Sequence, residues 1–420
     1  MDLLHLVRAN VVESLKRQPR FMCTETVERG EYESRRRYTA TGCDQGPRRT
    51  PLRPVSSDRL RLDVAQASSG EIYSWTGESR FNDRDLLDMV HDGAISSGTF
   101  SAFLSAVFQA ERATFTYNGA ITEGGRTLSA FGFRVARENS HYRFGPREHS
   151  VVTGYHGTFL ADTATAALVS LVVSTDPLPL ETGSCFATTT LNYSSARMQG
   201  IDFLLPTESA LNVAHADGGE SRNRTVFSNC HEFRGESSIS FEPAPEAAHG
   251  DVNRAKAPPA VVIPEGLRFG VALAESIDTA TAAVGDPVKA RLVSRIHNGS
   301  VVLIPAGAPV AARIVRLKQF YSGENTLSFG IRLESVSVNG SAVPLVATPD
   351  WEAAFPQPVD RTLRRRVQLG VPQGMEDRAV SFEIRDVHLP YRIDSGLPSY
   401  WITGSDERRR PQEKEFLLPR

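Results

Sequence analysis

The chain has 420 residues, of which 40% are hydrophobic and 23% charged, a composition typical of folded globular proteins. Lysine and arginine total 47 against 49 aspartate and glutamate residues, so the net charge of −2 creates no overall field for nucleic acid or anionic membranes. No run of eighteen apolar residues occurs, and we therefore predict no transmembrane helix and no nucleic-acid partner.

The length exceeds what one hydrophobic core usually supports, so we expect two domains. Residues 243–263 are rich in proline and alanine and lack periodicity, which is typical of a linker. This places a first domain at 1–242 and a second at 264–403. The charged segment 404–420 is predicted to be a disordered tail.

The first domain begins with apolar residues at helical spacing within residues 1–18, and the pattern changes to strands from Phe21 onward. Short helices are predicted at 85–90 and 99–108. The many strands that follow, with a turn predicted at Asn118-Gly119, indicate a curved, half-barrel-like antiparallel sheet. The fold class is therefore mainly β with a few helices.

In the second domain, alternating segments are separated by turn residues, including a predicted hairpin turn at Asn339-Gly340. This pattern predicts a small β-barrel or sandwich.

The four cysteines, Cys23, Cys43, Cys185 and Cys230, have no C-x-x-C spacing and are disulfide candidates. Pairing Cys23 with Cys43 and Cys185 with Cys230 is the simplest of three connectivities. Disulfides indicate a periplasmic or secreted protein, although the first residues do not resemble a secretory signal and by themselves predict a cytoplasmic location. The true N-terminus would then lie upstream; the alternative is four buried thiols.

Histidines 141, 149 and 156 lie close in sequence, but no pair has the spacing of two that would place both on one face of a strand. We therefore predict no metal site. Cys230-His231-Glu232 places a thiol beside an imidazole, yet adjacent strand residues face opposite ways. No nucleophile elbow and no phosphate-binding glycine loop is present, so we predict no catalytic residue and no cofactor.

Aromatic residues concentrate in one part of the first domain and could line an apolar groove between a curved sheet and its helices. The candidate groove residues are Phe100, Phe103, Phe108, Phe115 and Tyr117. The alternative is that these rings simply fill the core.

Three segments, Gly285–Ala290, Val302–Val310 and Leu327–Leu333, resemble the small β-barrel of TrbI-type conjugation and type IV secretion channel components. This resemblance implies a barrel without catalytic residues. The element order of the first domain is similar to that of periplasmic lipoprotein-carrier half-barrels. Tyr155–Phe159 and Asn229–Phe233 are similar to segments of secreted acidobacterial proteins that carry no assigned activity.

We therefore expect a non-enzymatic binding or scaffold protein of the bacterial envelope that holds an apolar ligand or a partner peptide. The alternative is a hydrolase-type enzyme whose site is assembled from separate strands. Convergence of two or more of the following side chains in a cleft would favour the enzyme: His141, His149, His156, Asp162 and Glu232. The sequence does not predict an oligomeric state.

Overall fold

The computed structural model describes residues 2–34, 43, 51–67, 70–78, 81, 86–90, 92–109, 112–145, 149–198, 200–232, 263–321, 323–350, 367–370 and 378–404. The predicted linker, except Ile263, and the predicted tail, except Gly404, lie outside these residues. The division into two domains stays a prediction. None of the helices in the described ranges has the length and apolar character needed to cross a membrane.

The helices are short except for the first. Helix α1 spans Leu3–Arg17, is capped by Asp2, whose carboxylate accepts the Leu4 N–H at 3.4 Å, and carries Lys16 and Arg17 in its last turn, where cations favour the helix dipole. The predicted helix at 85–90 is the single turn α2, Leu86–Met89. The predicted helix at 99–108 is α3, Ala102–Leu104, which continues as a π-helical turn through Ser105–Gln109.

Ten of the first twelve strands form one antiparallel sheet in the order β3-β2-β1-β12-β11-β10-β9-β8-β5-β4. Strands β6 and β7 form a separate hairpin. The strand bounds are β1 Phe21–Ser34, β2 Leu52–Ala67, β3 Gly70–Trp75, β4 Ala113–Glu123, β5 Arg126–Val135, β6 Arg143–Phe144, β7 Val151–Val152, β8 Tyr155–Asp162, β9 Leu168–Thr175, β10 Ser184–Met198, β11 Ile201–His215 and β12 Glu220–Glu232.

The remaining strands follow the predicted linker and pair in the order β22-β23-β19-β18-β15-β13-β25-β21, with β20 on the far half of β19. Two separate two-stranded pairs are β14-β24 and β16-β17. The strand bounds are β13 Arg268–Leu273, β14 Ile277–Asp278, β15 Pro287–Leu292, β16 Ile296–Asn298, β17 Val301–Ile304, β18 Pro309–Phe320, β19 Thr326–Val338, β20 Ser341–Pro344, β21 Ala347–Pro349, β22 Val367–Gly370, β23 Ala379–Arg385, β24 Arg392–Ile393 and β25 Pro398–Thr403.

The mainly antiparallel β fold class with one large curved sheet is confirmed. The closed barrel that was one of two forms predicted for residues 264–403 is not found, because strand pairing among the described residues does not close. The hairpin turn at Asn339-Gly340 is confirmed, with positive φ at both residues. The turn predicted at Asn118-Gly119 is wrong: β4 continues through it as a bulge, and the chain reverses at Gly124-Gly125.

Strand β2 joins the two parts of the chain. Its beginning pairs with the end of β18, so that Asp58 lies opposite Lys318. Further along β2, the Arg61 N–H donates to the Val284 carbonyl at 2.8 Å, and the Val284 N–H donates to the Arg59 carbonyl at 2.8 Å. The sheet therefore continues from residues before the predicted linker into residues after it.

Two arginines reinforce this junction. The Nη1 of Arg61 lies 2.5 and 2.6 Å from the two carboxylate oxygens of Asp286. Arg313, which is only 3% exposed, pairs with Glu334 and donates to the carbonyls of Thr76 and Gly285 at 2.8 and 2.6 Å. A buried guanidinium with several acceptors is fixed in place, since losing any of them would leave a charged donor unsatisfied.

The buried apolar side chains form two main clusters. One cluster lies between α1, α3 and the strands β5, β8, β9 and β10. The other runs from β1 and β2 into the strands after the predicted linker, and Phe21, Leu62 and Trp401 are among its fully buried members. The junction around β2 is therefore supported by a hydrophobic core that both parts share.

The disulfides join Cys23 to Cys230 and Cys43 to Cys185. The connectivity favoured as simplest, Cys23 with Cys43 and Cys185 with Cys230, is wrong. Strands β1 and β12 are neighbours in the sheet, with 4.1 Å between the Cα atoms of Cys23 and Cys230, although 207 residues separate them in sequence. Sheet neighbourhood, and not sequence proximity, determines which thiols meet.

We expect peptide mapping of the non-reduced protein to recover Cys23 linked to Cys230 and Cys43 linked to Cys185. Replacing Cys23 and Cys230 together by serine should lower the free energy of unfolding by about 4 kcal/mol, because the bond closes a long loop. A Cys23–Cys43 peptide would contradict the sheet neighbourhood of β1 and β12.

Substitution of Gly285 tests the contact between β2 and the turn at residues 284–286. Gly285 has φ +101°, and a Cβ there would lie 2.2 Å from the Arg61 carbonyl oxygen, whereas Gly266 has φ +78° and open space around it. Gly285→Ala should therefore lower the free energy of unfolding by about 3 kcal/mol, and Gly266→Ala by about 1 kcal/mol from backbone strain alone. Equal denaturation midpoints for the two variants would show that β2 does not contact this turn.

Candidate functional site

One face of the first sheet, here called the inner face, carries α1 and α3. A row of side chains crosses the strands on this face in register. In order from the β4 edge, the row is Tyr117, Phe131, Phe159, Leu171, Leu191, Ser209, Thr225, Val27 and Leu60. The row is aromatic at the β4 edge and continues through leucines to the hydroxyl residues Ser209 and Thr225 before Val27 and Leu60. Such a row is expected where alternate residues of every strand point to one side.

The aromatic end of the inner face is a continuous set of ring contacts. Phe159 lies at its centre, with ring centroids 5.1 Å from Phe131, 5.0 Å from Phe108 and 6.1 Å from Phe115. Such contacts at 4.5 to 7 Å add to the energy of apolar burial. Tyr117 extends the set to the sheet edge, 5.5 Å from Phe131, and is 62% exposed.

Helix α1 covers this surface mainly through apolar contacts. Val7 and Val11 are fully buried, and the leucines of the helix pack beside them. Its side chains make few polar contacts with the sheet side: Ser14 Oγ accepts the Leu204 N–H at 2.7 Å, and Asn10 Nδ2 donates to the Ala166 carbonyl at 3.2 Å. The cover is therefore held by nondirectional burial more than by hydrogen bonds.

Among the buried polar atoms without a hydrogen-bond partner, the Nε of Arg8 and the hydroxyl of Tyr193 lie under this cover. The Arg8 guanidinium lies 5.3 Å from the Phe115 ring centroid, a cation–π contact that leaves Nε unsatisfied. Leaving a donor or acceptor unpaired in an apolar interior costs about 1 to 3 kcal/mol. Because buried polar groups in native structures are normally paired, these atoms are available to a further partner.

Glu71 interacts electrostatically with Tyr193 and holds the chain before α3. Its carboxylate accepts the backbone N–H groups of Gly98 and Phe100 at 2.6 and 2.7 Å and a hydrogen bond from the Tyr73 hydroxyl. Burial raises the pKa of Glu71, an effect that these three donors oppose. Burial, together with the nearby Glu71 carboxyl, also raises the pKa of Tyr193.

Glu25 is a second carboxyl in this interior. It occupies an inward position of β1, in the alternating buried row Phe21, Cys23, Glu25, Val27 and Arg29, and is 2% exposed. Burial, and secondarily repulsion from Glu71, raises the pKa of Glu25 to about 8. The group is therefore mostly protonated and uncharged at neutral pH.

The structure brings together part of the predicted groove. Phe103, Phe108 and Phe115 belong to the cluster beneath α1, and Tyr117 lies at its edge. Phe100 instead belongs to the shared core, 4.9 Å from the ring of Phe21. Most of these rings are buried against the helices, so the groove stays a prediction that requires the helices to move.

Three of the side chains named for an enzyme, His141, His156 and Asp162, bind groups other than one another. His141 contacts Arg112 at 2.8 Å, and His156 contacts Asp176 at 3.3 Å. Asp162 accepts backbone N–H groups of its own turn, six residues from His156 along β8, a distance of roughly 20 Å. Cys230 is in a disulfide and is no nucleophile. Nowhere in the described ranges do three His, Cys, Asp or Glu side chains form a group suited to a metal ion.

Sequence reasoning missed Glu25, Glu71, Tyr193 and Arg8. Glu25 had a readable signal, a carboxylate at an inward position of an alternating apolar strand. Glu71 and Tyr193 had none, since their meeting requires β3 and β10 to approach across the inner face. Arg8 lies on an otherwise amphipathic helix, where an arginine near the apolar stripe usually extends to solvent.

No protein-family model and no curated protein matches the chain. Among solved structures, a DUF1329 family protein from Desulfovibrio piger is 10% identical, with 58% of this chain and 98% of that chain covered and a TM-score of 0.27. A LolA superfamily protein from Nitrosomonas europaea is 9% identical, covering 54% and 95%, with a TM-score of 0.24. A domain assigned to outer membrane lipoprotein sorting, from Vibrio parahaemolyticus, is 10% identical, covering 54% and 92%, with a TM-score of 0.26.

These low values assign no function to this chain. The resemblances to TrbI-type barrels and to secreted acidobacterial proteins stay predictions.

Glu25→Gln tests the buried carboxyl. Because the pKa of Glu25 is about 8 in the folded protein and 4.5 ordinarily, the folded state binds this proton more tightly than the unfolded chain. The stability it contributes is fully present below about pH 4.5 and is lost as the pH rises through 8. The free energy of unfolding of Glu25→Gln should therefore fall less between pH 5 and 8 than that of the parent protein.

Glu33→Gln, a half-exposed position on the same strand, is the matched control for this measurement. Denaturant titrations at several pH values should give parallel curves for the control and the parent. If Glu25→Gln also runs parallel to the parent, the carboxyl is not buried as described.

Proposed function

We propose that this protein is a non-enzymatic, extracytoplasmic binding protein whose inner face takes up an apolar ligand when helix α1 moves aside. The observation that carries the proposal is the pair of unpartnered polar atoms, Arg8 Nε and the Tyr193 hydroxyl, inside an aromatic interior closed by a helix. Ligand sites combine apolar walls with a few polar groups that fix orientation, and this interior has both.

Helix α1 is suited to act as a movable cover. Its burial depends mainly on Val7 and Val11, and a ligand chain that lies on Phe131 and Phe159 would replace the apolar contacts that the helix gives up. The exposed Tyr117 at the β4 edge offers a point of entry to the same aromatic surface.

The polar groups define the ligand more closely. The Tyr193 hydroxyl can exchange a hydrogen bond with a hydroxyl or amide group of a ligand. Burial raises the pKa of Glu71 in this interior, and the same loss of solvation would disfavour a ligand carboxylate there. We therefore propose a ligand with an apolar chain and an uncharged hydrogen-bonding end.

The two disulfides support a location outside the reducing cytosol, in the periplasm or the medium. Each bond joins residues far apart in the chain, 207 and 142 positions, and therefore restricts the unfolded chain. A partner peptide in place of a small ligand is an outcome that the following experiment distinguishes.

Displacement of the neutral dye Nile red from the full chain tests the proposal. We expect dodecanol to displace the dye at about ten-fold lower concentration than dodecanoate, because the carboxylate would lose its solvation in this interior. Failure of both chains to displace the dye, or stronger displacement by dodecanoate, would overturn the proposed ligand. No saturable Nile red binding at all would favour a peptide or scaffold role and overturn the small-ligand proposal.

Tyr193→Phe separates the hydroxyl from the ring. The variant should raise the free energy of unfolding of the ligand-free protein by about 1 kcal/mol, because it removes an unpaired polar atom, and should weaken dodecanol binding about ten-fold. Tyr117→Phe, whose hydroxyl is in an exposed residue, should change neither quantity. A Tyr193→Phe protein that is less stable and binds dodecanol normally would contradict the assigned role of this hydroxyl.

A further inference from the structure

A cleft of about 650 Å³ lies on the opposite face of the sheet from α1, here called the outer face, where the strands following the predicted linker meet it. Its floor is a small grid of residues from β12, β1 and β2. One row of the grid is Arg224, Glu28 and Arg59, and the next is Arg222, Gly30 and Ser57.

The walls of the cleft are fixed by contacts between the two parts of the chain. The Tyr321 hydroxyl and the Ser57 hydroxyl are 2.7 Å apart, and Arg59 Nη1 donates to the Ala280 carbonyl at 2.6 Å. Leu317, which also lines the cleft, is buried in the shared core. The shape of the cleft is therefore set before any ligand arrives, which lowers the entropy that binding costs.

A glycine makes the floor flat. Gly30 has no side chain to rise between Arg222 and Ser57, and a Cβ there would lie 2.9 Å from the Tyr32 ring. The ring of Tyr32 occupies that space, and the Arg222 guanidinium lies 4.7 Å from the ring centroid. A cation–π contact therefore holds the Arg222 guanidinium above the Tyr32 ring.

The lining carries more positive than negative charge. On the outer face, three arginines, at positions 59, 222 and 224, stand against one acidic residue, Glu28. The Glu28 carboxylate is already bound, because it pairs with Arg59. The cleft therefore has no carboxylate of its own left over for Arg222 and Arg224.

Arg222 and Arg224 each have N–H donors that bind no acid. Each uses Nε and Nη2 to bind an acid outside the cleft lining, Glu220 for Arg222 and Glu208 for Arg224, which leaves the two N–H groups of Nη1 on each side chain. The side chains are 47% and 55% exposed. Two residues apart on one strand, they stand about 7 Å from each other on the same face.

We propose that this cleft is a second binding site, for a small ligand that carries at least two carboxylate or phosphate groups. One anionic group would accept the Nη1 donors of Arg222 and another those of Arg224, while the body of the ligand lies over Gly30 against Tyr321 and Ala280. Planar guanidinium groups suit both oxyanions, because each presents parallel N–H donors. The site lies on the other face from the apolar interior and does not depend on it.

Isothermal titration of the full chain with citrate and with pyrophosphate at low ionic strength tests the proposal and distinguishes carboxylate from phosphate ligands. We expect saturable binding of at least one of the two, weakening as salt is added, and no binding of the neutral disaccharide trehalose. Absence of saturable binding for both anions, or equal binding of trehalose, would overturn the proposal.

Variants locate the binding. The double variant Arg222→Gln/Arg224→Gln should weaken binding of the anion about a hundred-fold, roughly ten-fold for each charge-assisted contact. Arg134→Gln is the matched control, since Arg134 is a 60% exposed arginine on β5 that pairs with Asp176 away from the cleft. Equal losses in both proteins would show that the anion binds nonspecifically and would overturn the site.

A third variant, Ala280→Phe, keeps every charge and fills the cleft from its exposed wall. It should abolish anion binding while leaving the thermal unfolding midpoint and dodecanol binding unchanged. This variant keeps the proposal testable if the double arginine variant folds poorly. Unchanged anion binding in a folded Ala280→Phe protein would place the ligand elsewhere and overturn the proposal.

Discussion

The contact between β2 and the turn Val284–Asp286 is the constraint that joins the two parts of the chain. Backbone hydrogen bonds join the strand to the turn, and Gly285 lies so close to the Arg61 carbonyl that no side chain fits between them. Arg61 and the buried Arg313 then fix the approach with charged hydrogen bonds. Because this contact sets how the later strands meet the sheet, it also sets the walls of the cleft on the outer face.

The alternation of strand residues separates the two sites chemically. On β12 and β1, inward positions carry Thr225, Val27 and the protonated Glu25, whereas the outward neighbours are Arg224 and Glu28. A single pair of strands thus contributes to an apolar interior on one side and to a charged cleft on the other. Substitutions that disturb one face need not disturb the other, since neighbouring residues in a strand share no side-chain contacts across the sheet.

The polar groups of the interior differ in how many of their hydrogen bonds are made within the fold. Glu71 accepts three hydrogen bonds and positions the chain that leads into α3, so its burial is explained by the fold. Tyr193 and Arg8 retain unpaired atoms beneath a helix that is held mostly by apolar contacts. These are the atoms that the proposed ligand would pair.

The sequence by itself determined the fold class, the helix α1 and the turn at Asn339-Gly340, because hydrophobic period and turn chemistry are local properties. The same alternation places a carboxylate at the inward position 25, a signal that sequence reasoning missed. The sequence could not determine that Cys23 meets Cys230, that Phe100 leaves the other groove aromatics for the shared core, or that Glu71 approaches Tyr193. Each of these depends on which strands become neighbours and how far the sheet curves, and only the tertiary structure decides those, since pairing partners far apart in the chain leave no mark on the residues between them.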